Sequence, residues 1–242
     1  MNGWTETALW IVTPYATLLI FVLGLVWRFR YDRFGWTTRS SQLYEHQLLR
    51  IASPVFHFGL LFVIVGHVVG LLVPERWTRA VGITEATYHM SALVVGAIAG
   101  ICTLAGIALL IYRRRTTGPV FMATTRNDKA MYVVLTAAIL AGLLTTLLTS
   151  AFGEHDYRHT VSPWFRGIFV FQPDAAAISA APWPYKLHTA IGMLLFAIFP
   201  FTRLVHAFAA PLTYPFRPYI VYRSRSATAG GPPLTRRAPR GW

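Results

Sequence analysis

Of the eight histidines in these 242 residues, four fall inside or at the ends of just two apolar blocks. His57 and His67 stand in one, as Phe56-His57 and Gly66-His67; His188 and His206 stand in the other, as Leu187-His188 and Val205-His206. A ring nitrogen at membrane depth needs a partner, because an unsatisfied polar group in hydrocarbon is costly. Neither block holds an aspartate or glutamate that would serve. A haem iron would: it accepts neutral imidazole and is a common cofactor of helical-bundle cores. The single cysteine, Cys102, excludes an internal disulfide, a Cys-x-x-Cys-His haem attachment and a cysteine-ligated iron–sulfur cluster.

The elements that must carry these rings are apolar blocks of about 20 residues, the length that spans a bilayer as a helix. They run roughly over 8–27, 51–73, 90–112, 130–152 and 187–210. The chain is 55% hydrophobic and only 13% charged, against about 25% charged in an ordinary soluble domain. The expected fold is therefore an all-α membrane protein, a five-helix transmembrane bundle. A formal charge of +13 does not argue for nucleic acid, since the basic residues lie between the blocks rather than on a soluble face. They set orientation instead. Segments 28–50, 113–129 and 203–242 hold 17 of the 22 Lys and Arg, leaving five for 74–89 and 151–186. By the positive-inside rule the first set is cytoplasmic, placing the N-terminus outside and the C-terminus inside. The first block follows Glu6 and precedes Arg28, Arg30 and Arg33; a signal peptide has the opposite charge order, so a retained helix is expected. The bundle is assigned to residues 1–223. The basic tail 224–242, rich in Gly, Pro, Ser and Arg, is expected to be disordered.

With that topology the second helix runs outward and the fifth inward. His67 then shares the outer depth with His188, and His57 the inner depth with His206. Two bis-histidine haems stacked across the membrane follow. The spacing is imperfect: ten residues separate the first pair and eighteen the second, about 15 Å and about 27 Å of helix, so a kink at Pro200 is expected to absorb part of the difference. Gly59, Gly66, Gly70 and Gly192 flank these positions, where a missing side chain would let a flat macrocycle approach; Gly66-x-x-x-Gly70 is equally a helix-packing motif. Arg203, one turn before His206, is placed to pair with a haem propionate. Glu85, Tyr88 and His89 cluster at the outer end of the third helix as candidates for proton transfer. The aromatic loop 153–185 suits the outer interface, partly as an interfacial helix.

Several runs resemble one family. Ser40-Ser41-Gln42, Ser53-Pro54-Val55-Phe56-His57-Phe58-Gly59 and Val65-Gly66-His67-Val68-Val69-Gly70 are similar to the gamma subunit of respiratory nitrate reductase. So are Ala123-Thr124-Thr125-Arg126, Lys186-Leu187-His188 and Phe199-Pro200-Phe201-Thr202-Arg203-Leu204-Val205-His206. The resemblance covers roughly residues 10–222. It implies a multi-pass subunit of the bacterial cytoplasmic membrane with two haems b, ligated by the same four histidines. It implies quinol (menaquinol or ubiquinol) oxidised near the outer haem; Glu85, Tyr88 and His89 are the candidates at that depth to accept its protons. Electrons would pass to an iron–sulfur beta subunit and a molybdenum alpha subunit in the cytoplasm; the 17 Lys and Arg of the inner segments either set orientation alone or, at Arg28 to Arg39 and Arg113 to Arg126, contact the iron–sulfur subunit. Where the family's best-known form has lysine before the third helix, this chain has Thr87 and His89. Alternatives are the cytochrome b subunit of a formate dehydrogenase or hydrogenase, a transporter using membrane histidines, and an anchor without cofactor.

Overall fold

The computed structural model describes residues 3–32, 35–36, 41–152 and 156–209, so the boundary at 223 and the basic tail lie outside the described residues. No strand occurs among them. Five helices are long and apolar enough to cross a membrane: α1 (Gly3–Tyr31), α2 (Gln47–Leu72), α3 (Glu85–Thr116), α4 (Arg126–Phe152) and α5 (Trp183–Ile198). Each extends beyond its apolar block wherever the flanking polar residues can cap it. The Thr84 side chain accepts the Thr87 N–H at the start of α3, and Arg113, Arg114 and Arg115 sit in its last turn, where cations oppose the helix dipole.

The fifth helix departs from expectation. Regular helix ends at Ile198, a 3-10 turn follows over Phe199–Phe201, Thr202 is extended, and a second 3-10 stretch runs over Arg203–Ala209. Pro200 is the cause: it has no N–H to give and its ring collides with the carbonyl four residues earlier. The break frees backbone carbonyls in an apolar setting. Arg28, buried on α1, takes them up. Its Nη1 donates to the Pro200 and Thr202 carbonyls at 2.8 and 3.2 Å, and its Nη2 donates to the Gly35 carbonyl at 3.0 Å. The Asn127 side-chain amide donates to the Phe201 carbonyl.

Helix packing runs in an arc: α2 on α3, α3 on α4, α4 on α5 and α5 on α1. The closest approach uses glycine. A Cβ built on Gly59 would lie 2.7 Å from Thr103 Oγ1, and one on Gly106 would lie 2.6 Å from Phe56 Cα. Small residues let membrane helices meet at this distance. The two histidine-bearing helices, α2 and α5, do not pack closely on each other. At one end the expected loop helix, Val161–Phe169, clamps α1 to α2. Trp164 Nε1 donates to the Trp10 carbonyl at 2.8 Å. Ser162 Oγ and Arg166 Nη1 donate to the Gly70 and Leu71 carbonyls, which the end of α2 leaves open. Trp164 is thus buried against Trp10, whereas Phe169, Phe171 and Trp183 of that loop are exposed.

Two alanine substitutions in α3 should diverge. Gly106→Ala should lower the thermal midpoint of unfolding in detergent, because overpacking a tight crossing typically costs about 1–3 kcal/mol. Gly96→Ala, where a Cβ meets nothing within 4 Å, should be neutral or raise it, since Ala is favoured over Gly in a helix by about 1 kcal/mol. Equal effects at both positions would refute the packing account.

Candidate functional site

The structure brings the four membrane histidines together as two pairs across the space between α2 and α5. His67 Nε2 lies 3.5 Å from His188 Nε2, with ring centroids 5.8 Å apart. The His57 and His206 rings are 6.1 Å apart and inclined by 69°. Three of the four rings have their tautomer fixed by the backbone. Nδ1 of His57 lies 2.7 Å from the Ser53 carbonyl, Nδ1 of His67 2.7 Å from that of Val63, and Nδ1 of His206 2.6 Å from that of Arg203. A carbonyl only accepts, so in the neutral ring Nδ1 carries the hydrogen and Nε2 keeps a lone pair. His188 Nδ1 is buried without a hydrogen bond of normal geometry.

This donor set fits a metal held between the members of each pair. His57 and His206 both present an Nε2 lone pair, and two lone pairs cannot bond each other. A Lewis-acidic iron between them satisfies both. A metal shared by two imidazoles at about 2 Å each would need their nitrogens within about 4 Å of one another, a requirement that His67 Nε2 and His188 Nε2, 3.5 Å apart, meet. The flanks also fit a flat ring. A Cβ on Gly66 or Gly192 meets nothing within 4 Å, whereas one on Gly142 would lie 2.9 Å from the His188 ring. Gly59 and Gly70 differ from the expectation that they border open space. Both are buried, Gly59 against Thr103 and Gly70 against the Tyr157 hydroxyl, because they serve helix and loop packing.

Arg203 is held by Asp128: Nε lies 2.7 Å from Oδ1 and Nη2 2.9 Å from Oδ2, a bidentate pair that is largely buried. This pair, rather than a free guanidinium, fixes the 3-10 stretch bearing His206. Arg28 and Arg113, expected on a docking face, are also committed internally. Arg113 is buried and binds the Glu45 carboxylate, and it donates to Ser41 Oγ at 2.8 Å. Burial of these cations among freed carbonyls and a loop carboxylate explains their positions without a partner.

Glu85, Tyr88 and His89 do lie together, at the His67/His188 end. His89 Nε2 is 3.4 Å from Glu85 Oε1. The buried Tyr88 hydroxyl is 2.8 Å from that of Tyr157. Tyr157 connects this cluster to the histidine pair: its hydroxyl rests on Gly70, within one turn of His67, and its ring is 6.3 Å from that of Tyr185. Burial, then the Tyr88 hydrogen bond, pushes the Tyr157 phenol well above its ordinary pKa, so it stays neutral at any working pH. Arg158 stacks over the Tyr88 ring at 4.0 Å and donates to both Glu85 oxygens at 3.1 and 3.4 Å and to Thr78 Oγ1. Asp156, Tyr157, Arg158 and His159 were not among the sequence candidates. Their signal is that they lie within an unbroken run of seven hydrogen-bonding side chains, residues 154–160, in a loop otherwise rich in aromatic residues.

A family model described as nitrate reductase gamma subunit matches residues 6–225. The chain is 42% identical over 218 residues to the nitrate reductase gamma chain of Bacillus subtilis (strain 168), covering 90% of this chain and 98% of that one. It is 33% identical over 215 residues to the respiratory nitrate reductase 2 gamma chain of Escherichia coli (strain K12), covering 88% and 95%. It is 61% identical over 235 residues to the nitrate reductase-like protein NarX of Mycobacterium tuberculosis (strain ATCC 25618 / H37Rv). That match covers 96% of this chain but spans only 35% of the relative's length.

Replacing Asp128 by Asn should leave a buried guanidinium without its counter-charge, a loss of about 3 kcal/mol for a pair of this kind. Hydrogen exchange of the 203–206 amides should accelerate while that of α3 does not. Unchanged protection at 203–206 would show that the pair does not hold this segment.

Proposed function

The chain belongs to the nitrate reductase gamma subunit family, and from that premise we propose that it is the dihaem cytochrome b subunit of a respiratory nitrate reductase. The observation that carries this reading is the pair of imidazole couples across α2 and α5, with three Nδ1–H groups tied to backbone carbonyls and Nε2 left for a metal. His67 with His188 and His57 with His206 would hold the two haems. Bound there, they would supply one-electron carriers at two depths, linking quinol at the outer end to iron–sulfur and molybdenum subunits in the cytoplasm. The substrate, menaquinol or ubiquinol, would lie near Gly66, whose open flank leaves room beside His67. Quinol oxidation releases two electrons and two protons, so bases are needed at that end. His89 is the candidate base there, and Glu85, whose Oε1 is 3.4 Å from its Nε2, would stabilise the protonated ring. Arg158 holds the Glu85 carboxylate in place. Tyr88, buried, and Tyr157, half-buried, are hydrogen-bonded to each other and shape the wall between this cluster and His67. The distribution of Lys and Arg supports an orientation with this end outside. Protons released there while electrons move inward would conserve about 2.3 kcal/mol per charge per 100 mV.

Pyridine haemochrome analysis of the purified membrane subunit should give two haems b per chain. His67→Ala and His57→Ala should each lose one. His67→Ala should also abolish reduction of the remaining haem by quinol, whereas His57→Ala should leave the outer haem quinol-reducible. A wild-type count of one or none, or loss of both haems in either folded variant, would sink the two-site assignment.

A further inference from the structure

At the His67/His188 end the short helix Glu75–Ala80 and the start of α3 meet the 156–159 turn, some seventy residues further along the chain. Together they line up five titratable groups in alternation. His89 Nε2 lies between Glu85 Oε1 at 3.4 Å and Asp156 Oδ2 at 3.6 Å. His159 Nε2 lies between that same Asp156 Oδ2 at 3.4 Å and Glu75 Oε2 at 3.5 Å. Exposure is least at the central Asp156 (17%), intermediate at His89 (41%) and greatest at His159 (67%), the member that meets water most fully. The charged neighbours are Arg158, on Glu85, and Arg79, on Glu75. Each thus occupies a terminal carboxylate and leaves the central Asp156 oxygen to the two imidazoles.

We propose that His89, Asp156 and His159 form a proton exit line from the quinol site to the external water. The proposal rests on the quinol reading and extends it from His89 to Asp156 and His159, which that reading does not use. In each passage the balance is simple. A quinol hydroxyl gives a proton to His89 Nε2, which becomes imidazolium beside Glu85. The Nε2–H bond then breaks as an O–H bond forms at Asp156 Oδ2. That proton passes to His159 Nε2, which releases it to solvent, and each base returns to its starting state. No electron moves along the line. Separations of 3.4–3.6 Å exceed a formed hydrogen bond, and a small ring rotation or one bridging water closes each gap. A purely structural staple would not need two imidazoles on one carboxylate oxygen, since a single ion pair would join the 156–159 turn to α3.

The test uses the intact quinol:nitrate oxidoreductase complex in vesicles, with a soluble naphthoquinol as donor. Asp156→Asn keeps the oxygen that accepts the Arg158 N–H at 2.7 Å but cannot carry the proton. It should slow quinol-driven turnover at least tenfold with haem content and quinol KM unchanged. His159→Ala should slow it too, and millimolar external imidazole should restore the rate, which a lost structural contact would not allow. Wild-type rates in both variants, or a slowed His159→Ala that imidazole fails to rescue, would overturn the exit line. If the wild-type complex itself fails to oxidise the quinol, the quinol reading fails first and takes this proposal with it.

Discussion

A neutral imidazole has one N–H and one lone pair, and in a membrane helix both must be accounted for. In α2 the carbonyl four residues back takes the N–H of His57 and His67; in the 3-10 stretch the carbonyl three residues back takes that of His206. The helix thereby disposes of the donor itself and exports the lone pair. Much of the molecule follows from where those lone pairs must go. The helices α2 and α5 stand apart instead of packing, and α3 and α4 complete the arc behind them. Gly142 is a glycine because the His188 ring occupies the volume of its Cβ. Gly66 and Gly192 lie beside the rings with open flanks.

Keeping two helices apart removes the packing that would otherwise hold them, and polar contacts at the ends replace it. At one end the loop helix Val161–Phe169 binds the last carbonyls of α2 and the Trp10 carbonyl of α1, spanning the opening. At the other, Pro200 breaks α5, and the chain after it is held by Arg28, Asn127 and Asp128. Three of these ties use charged side chains that are largely buried yet bonded to carbonyls or to each other, the condition under which burial of charge is tolerated. The middle of the bundle is nearly devoid of such groups, as hydrocarbon demands.

The two ends differ in kind. Around His57 and His206 the polar side chains are spent on backbone and on each other, which rigidifies the segment. Around His67 and His188 they form an unequal set: the hydrogen-bonded Tyr88 and Tyr157 beside Gly70, then carboxylates and imidazoles that reach water most fully at His159. Groups that exchange protons with water belong at an edge of this sort, where one side is dry and the other wet.

The blocks of about 20 apolar residues were enough to locate five spanning helices, because a hydrocarbon core imposes that length on any helix crossing it. Antiparallel neighbours place residues near the start of one opposite residues near the end of the other. Depth therefore sufficed to anticipate which rings would meet, His67 with His188 and His57 with His206. The family, too, was legible in the histidine-bearing runs. What only the tertiary structure decided are contacts between segments with no periodic relation. Gly59 and Gly70 turned out to be packing sites rather than open flanks. Arg28 meets carbonyls more than 170 positions away, and Arg203 pairs with Asp128 instead of standing free. Periodicity records the demands of the bilayer on one helix at a time. It says nothing about which loop tip returns to which helix end, so the meeting of Glu75, Glu85, His89, Asp156 and His159 is fixed only when three chain segments are brought together by their burial against α2 and α3.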